Sequence, residues 1–224
     1  MEKFMSIEKM YYRLHQAMSK PEERGEYSSG YWQYLVRQTA QDMCAMQKGR
    51  LLEVGCGEGL FLAGLIKAFP GLEIFGVDQW DEALSKSERR LNQLRPGVTL
   101  RRADASDLPF EDAFFDKVVC INVFLNMDSI AKVSSSLNEI ARVCKKGSRI
   151  IFDIRNSLNP FLVVKYKLAK YYDATSRNLN LSTYKPAEIR VILKNAGFEI
   201  VRERPLFFPL KPMAPIIMFE GVKK

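Results

Sequence analysis

The sequence predicts an α/β fold: a seven-stranded, mostly parallel sheet with helices on both faces and a terminal antiparallel hairpin. From residue 50 onward, short β-branched or apolar runs alternate with longer stretches of three–four apolar spacing. That alternation is the mark of strand–helix–strand units whose strands run parallel. The last two strand-like runs are joined instead by "RPLFFPLKP", too irregular for a crossover helix, so they are expected to pair antiparallel. With 47% hydrophobic residues in 224, the chain can bury one substantial core.

Residues 1–48 read as helical and are expected to form an N-terminal lid or cap. "MSIEKMYYRLHQAMSK" places apolar residues at 7, 10, 11, 14 and 18, "PEERGEYSSG" interrupts, and "YWQYLVRQTAQDMCAM" resumes the pattern. The sheet domain is expected over 49–224. Its parallel strands are predicted at 50–54, 72–77, 98–102, 116–121 and 148–154, with helices at 59–68, 80–94 and 128–144. The stretch 103–115, "ADASDLPFEDAFF", reads as loop with at most a short turn. Residues 156–185 form an insertion that mixes a basic apolar helix, "NPFLVVKYKLAKYY", with a polar loop. Pro186 suits the first turn of a helix and Gly197 its end. The closing strands are predicted at 198–203 and 215–220.

Composition narrows the function. The four cysteines, Cys44, Cys56, Cys120 and Cys144, form no C-x-x-C pair, and His15 is the one histidine. A zinc site and a disulfide framework are therefore not expected, and the compartment is a reducing one. Cys56 reads as a small filler, Cys120 and Cys144 as core. No charged-then-apolar leader is evident, and no apolar run reaches the roughly 18 residues that cross a bilayer, so a cytoplasmic protein is expected. The formal charge of +8 is compatible with nucleic acid, a phospholipid surface or a phosphorylated substrate, or simply with a lysine-rich surface.

"LLEVGCGEGLFLAGL" carries the chemistry. A strand that ends in glycines and feeds a helix is how open α/β sheets bind ligands at the carboxyl edge. Glycines at 55, 57 and 59 let a ligand lie against backbone, and the first amides of the following helix donate to it. A dinucleotide fingerprint wants G-x-G-x-x-G, but position 60 is leucine, and Glu53 would stand near a pyrophosphate. A carboxylate there suits a cationic ligand.

At these residues the chain resembles the class I S-adenosylmethionine-dependent methyltransferases, specifically their type 11-like small-molecule group, whose fold is Rossmann-like. Their first motif, acidic-x-G-x-G-x-G, is matched by Glu53, Gly55, Gly57 and Gly59. Their cofactor, S-adenosyl-L-methionine, carries positive charge and no phosphate. The resemblance continues in order and spans about residues 27–155. It implies that Asp78, with Gln79 beside it, accepts from the ribose hydroxyls, that Asp104 takes the adenine amino group, and that Ala105 adds a backbone contact. Asn122, after the fourth strand, falls where the family lines the methionyl end; Asn126 is a further polar position, read as an acceptor contact. Lys146–Gly147 matches the family's turn before strand five. Tyr27 and Tyr31 are candidate cofactor-covering residues, with Trp32, and Arg155 and Asn156 are candidate acceptor contacts. No catalytic residue is assigned: His15, Tyr27, Tyr31 and Asp153 are the candidates for a base, needed only if the acceptor must lose a proton.

The D/N-P-P-Y motif of base- and glutamine-modifying relatives is absent from "INVFLNM", which disfavours nucleic acid as substrate despite the charge. The acceptor is expected to be a small or lipid-linked molecule, methylated on oxygen, carbon or nitrogen. Lysines at 165, 167 and 170 around an apolar stripe are compatible with peripheral contact at a membrane surface. Two rival readings are a non-catalytic cofactor-binding scaffold and, disfavoured by Leu60 and Glu53, an NAD-dependent oxidoreductase.

Overall fold

A computed structural model describes residues 31–172, 181–207 and 210–224. The parallel strands are β1 (Gly49–Val54), β2 (Leu72–Asp78), β3 (Thr99–Arg102), β4 (Phe115–Cys120) and β5 (Cys144–Arg155); β6 (Phe198–Leu206) and β7 (Ile216–Lys223) complete one sheet of order β3-β2-β1-β4-β5-β7-β6. β7 runs antiparallel to both β5 and β6. The helices are α1 (Tyr31–Met43), α2 (Leu60–Ala68), α3 (Asp81–Asn92), α4 (Ile130–Val143), α5 (Pro160–Tyr172) and α6 (Pro186–Asn195).

Both sheet faces are covered, so the inner strands carry apolar runs that bury residues on both faces, such as Leu51–Leu52, Val118–Val119 and Ile150–Phe152. On one face Leu51, Ile74, Val119, Ile151 and Met218 meet α1, α2 and Leu91 of α3. On the other, Leu52, Val118, Ile150 and Phe152 meet α4 and α6. All four cysteines are buried and unpaired. Local signals set the helix ends. Ser129 caps α4 by accepting from the Lys132 amide at 3.3 Å, Asp81 and Glu82 in the first turn of α3 oppose Arg89 and Arg90 in its last, and Pro186 begins α6.

The structure corrects one expectation. β5 starts at Cys144, immediately after α4, and Lys146 and Gly147 lie inside that strand rather than in a turn before it. Phe115 pairs with Cys144 and Lys117 with Arg149, so the extra residues form an irregularity within the β4–β5 ladder. The helical stretch "MSIEKMYYRLHQAMSK" lies outside the described residues; of the 1–48 segment residues 31–48 are described, and their helix α1 docks on the sheet through Val36, Ala40 and Met43.

Candidate functional site

The five parallel strands end at one edge of the sheet, where the loop after β1 crosses β2. The Gly55 and Cys56 amides both donate to the Val77 carbonyl (2.8 and 2.9 Å). The Gly57 amide donates to Asp78 Oδ2 at 2.8 Å, and the Trp80 amide to Asp78 Oδ1 at 3.0 Å. Gly55, Gly57 and Gly59 sit at φ 75°, 50° and 72°, a left-handed run that side chains resist. Their surroundings differ. A Cβ on Gly55 would strike Val123 Cγ2 at 2.3 Å and one on Gly59 would strike Ser87 Oγ at 2.4 Å, whereas one on Gly57 meets nothing within 4 Å. Two glycines allow the loop to pack; the middle one faces open space.

Two carboxylates lie near this loop: Asp78, which holds the Gly57 amide, and Glu53 on β1, close enough to Asp78 for the two charges to act on each other. Glu53 is 3% exposed and its Oε2 has no hydrogen-bond partner among the described residues. Burial pushes its carboxyl well above the usual range; the charge of Arg37 pulls it back and that of Asp78 pushes it further up. Asp78 uses one lone pair on each oxygen for backbone amides, leaving acceptor capacity on both. A buried acidic oxygen with no partner among the described residues, near a second carboxylate able to take hydroxyl donors, fits a cationic nucleoside such as S-adenosylmethionine.

Asp104 is exposed, and its Oδ1 accepts from the amide and hydroxyl of Ser106 at 2.8 and 2.6 Å, a local turn whose bonds hold its carboxyl below the usual range. Ala105 is half-buried beside it, and Gln79 is exposed next to Trp80, itself 45% exposed.

At the ends of β4 and β5 the expected contacts are rearranged. Asn122, at φ 58°, donates from its amide to Asp153 Oδ1 at 2.6 Å, accepts from Arg155 Nη2 at 2.8 Å, and reaches the Gln33 carbonyl at 3.4 Å. Its side chain thus ties β4 to β5 and α1. Arg155, 2% exposed, pairs with Asp153 and donates from Nε to Tyr166 Oη at 3.1 Å. Burial pulls its guanidinium down, but Asp153 and Tyr166 more than offset this and leave it raised.

Arg155 is therefore a buried brace, not an exposed acceptor contact, and Asp153 is committed to it rather than poised as a base. Asn156 is fully buried, donating to the Pro212 and Ala214 carbonyls (2.9 and 2.8 Å) and accepting from the Leu158 amide (3.0 Å), which removes it from any ligand surface. Asn126 is exposed on the short turn Phe124–Asn126. Tyr31 is half-buried at the start of α1. Trp32 stacks on Phe207 (centroids 5.8 Å) beneath Lys165 Nζ (4.4 Å). Tyr27 and His15 lie outside the described residues.

Trp80, Arg37 and Tyr166 were not singled out from sequence. Trp80 carried a signal, an aromatic two positions after Asp78; Arg37 and Tyr166 matter only through tertiary contacts.

Residues 52–152 match the family described as a methyltransferase domain. A demethylmenaquinone methyltransferase of Deinococcus radiodurans is 30% identical over 150 residues, 67% of this chain and 57% of that protein. A ubiquinone biosynthesis O-methyltransferase of Alkalilimnicola ehrlichii is 28% identical over 118 residues, 52% of this chain and 46% of the relative. The chain thus spans about half the length of these curated relatives. Among solved structures, a Pyrococcus horikoshii protein superimposes with TM-score 0.73 at 19% identity, covering 96% of this chain and 99% of its own. The magnesium protoporphyrin IX methyltransferase of Synechocystis PCC 6803 with bound S-adenosylhomocysteine gives 0.67 at 18%, covering 96% and 94%.

Proposed function

The chain belongs to the class I S-adenosylmethionine-dependent methyltransferases, and from that premise we propose that it transfers a methyl group to a small, lipid-linked acceptor at the carboxyl edge of its sheet. The observation that carries this reading is the open space above Gly57 beside Asp78, with the buried Oε2 of Glu53, unpartnered among the described residues, close enough to Asp78 for their charges to interact.

S-adenosylmethionine, when bound, supplies a methyl group on a sulfonium. The chain's part is to hold and align. In this reading Asp78 accepts from the ribose hydroxyls with its remaining lone pairs, Gln79 lies beside it, and Asp104 and Ala105 are assigned to the adenine. Backbone of residues 55–59 makes the close approach, and Glu53 provides negative charge for the amino-acid end. Tyr31, at the start of α1, is assigned to the cover. Displacement at a methyl carbon needs little acid–base help. Holding the acceptor atom in line can supply roughly 7–11 kcal/mol of the barrier reduction, and the vanishing sulfonium charge favours a site from which water is excluded.

The lipid-linked acceptor and a peripheral membrane position are supported by two observations. Apolar residues of the β5–α5 turn, of α5 and of the β6–β7 loop, which follow the carboxyl end of β5, are exposed (Leu158, Phe161 and Leu210). Two relatives are named demethylmenaquinone methyltransferase and ubiquinone biosynthesis O-methyltransferase.

Titration calorimetry with S-adenosylhomocysteine tests the cofactor site. Asp78→Ala should lose tenfold or more in affinity, each charged hydrogen bond being worth about 1.5–3 kcal/mol. Gly57→Val should abolish binding while a thermal melt still shows a folded protein. Unchanged affinity in both would refute the placement. Radiolabelled methyl from the cofactor, followed in a lipid extract, identifies the acceptor.

A further inference from the structure

We propose that the outward face of α5 docks the protein on an anionic lipid bilayer, holding the carboxyl edge of the sheet against the membrane. Phe161, Val164, Leu168 and Tyr171 are 73%, 54%, 48% and 70% exposed. At 100° per residue they form one stripe along the helix. The opposite side is seated: Leu162 and Ala169 are buried, and Tyr166 receives the Arg155 guanidinium at the end of β5. The stripe therefore lies on a helix bolted directly to the edge that carries the glycine loop.

Its N-terminal end is extended by the β6–β7 loop. The Asn156 and Asn159 side chains donate to the carbonyls of Pro212, Ala214 and Met213, fixing the turn that follows Leu210, 59% exposed, against the start of α5.

Charge selects the occupant. No aspartate or glutamate occurs from Arg155 to Tyr172 or from Arg204 to Phe219, while Lys167 and Lys211 are exposed beside the stripe, on a chain of net charge +8. Exposed apolar residues with lysines beside them match the acyl boundary and phosphate layer of an anionic leaflet. A second copy of the chain would set the same lysines against each other. The 13 residues of α5 span about 20 Å, short of a bilayer, so the helix lies in the interface plane. Among the described residues, no helix is long and apolar enough to cross a membrane.

This inference deepens the proposed function and rests on it for the identity of the site beside α5; the docking itself is tested without turnover. The full chain is sedimented with vesicles of phosphatidylcholine alone and with one-third phosphatidylglycerol. Wild type should bind the anionic vesicles, weaken as salt is raised, and leave the neutral ones largely free. The double variant Phe161→Asp/Leu168→Asp should bind at least fivefold less, and Lys167→Glu/Lys211→Glu should bind less at low salt. Val191→Asp, at a residue 58% exposed on α6, should bind as wild type. Equal binding by wild type and the Phe161/Leu168 variant, or no binding by wild type at low salt, overturns the proposal. So does a wild-type dimer in gel filtration that the same variant dissolves, which would assign the face to a second copy. Calorimetry with S-adenosylhomocysteine on the same protein separates the two readings: cofactor binding without vesicle binding sinks the docking alone.

Discussion

Glu53 stores the information that a cation is wanted. Buried at the end of β1 with one oxygen unpartnered among the described residues, its carboxyl is pushed well above the ordinary 4.5. The unfolded chain loses this proton near the ordinary value while the fold retains it. Its contribution to stability is thus fully present below 4.5 and is lost as pH rises through the raised folded value. A bound ammonium reverses the preference, so binding should expel the proton. Calorimetry with S-adenosylhomocysteine in two buffers of different ionisation enthalpy should show proton release for wild type and none for Glu53→Gln. Equal release in both would move the titrating group elsewhere. Glu53, the three glycines and Asp78 were legible because their spacing along the chain is the signal. Asn122 and Arg155 were legible as polar residues at strand ends but not in role. Their partners, Asp153, Gln33 and Tyr166, come together only when β4, β5, α1 and α5 pack.

Among elements, the loop between β3 and β4 depends on α4. Arg142 donates to the carbonyls of Leu108 and Phe110 and to the carboxylates of Asp112 and Glu139, all within 2.9 Å, and Glu139 accepts from the Leu108 amide at 3.0 Å. One side chain thereby fixes the loop that carries Asp104 and Ala105. Arg142→Ala should lower affinity for S-adenosylhomocysteine severalfold and speed amide exchange across 104–113, with α4 intact by far-ultraviolet circular dichroism. Unchanged exchange would show that the loop holds its own shape. The strands and helices around it were readable because each is a local apolar pattern. The irregularity at Lys146–Gly147 was not: it exists because Phe115 pairs with Cys144 while Lys117 pairs with Arg149, a register set by the neighbouring strand.

For the whole molecule, the antiparallel pairing of the last two strands could be read from the connection between them, but their placement could not. β7 lies inside the sheet, between β5 and β6. Phe219 is fully buried there and stacks on Phe152 with centroids 5.2 Å apart. Phe219→Ala should therefore cost about 3–5 kcal/mol, as for a core aromatic, read from a urea melt; a loss below 1 kcal/mol would mean the two halves are held by something else. The same arrangement dictates an order of events at the ribosome. β6 emerges before the one strand it pairs with, and β5 waits with an open edge until β7 has cleared the exit tunnel. The nascent sheet thus stays adhesive along one border through the synthesis of some sixty residues, the interval in which a chaperone has most to do.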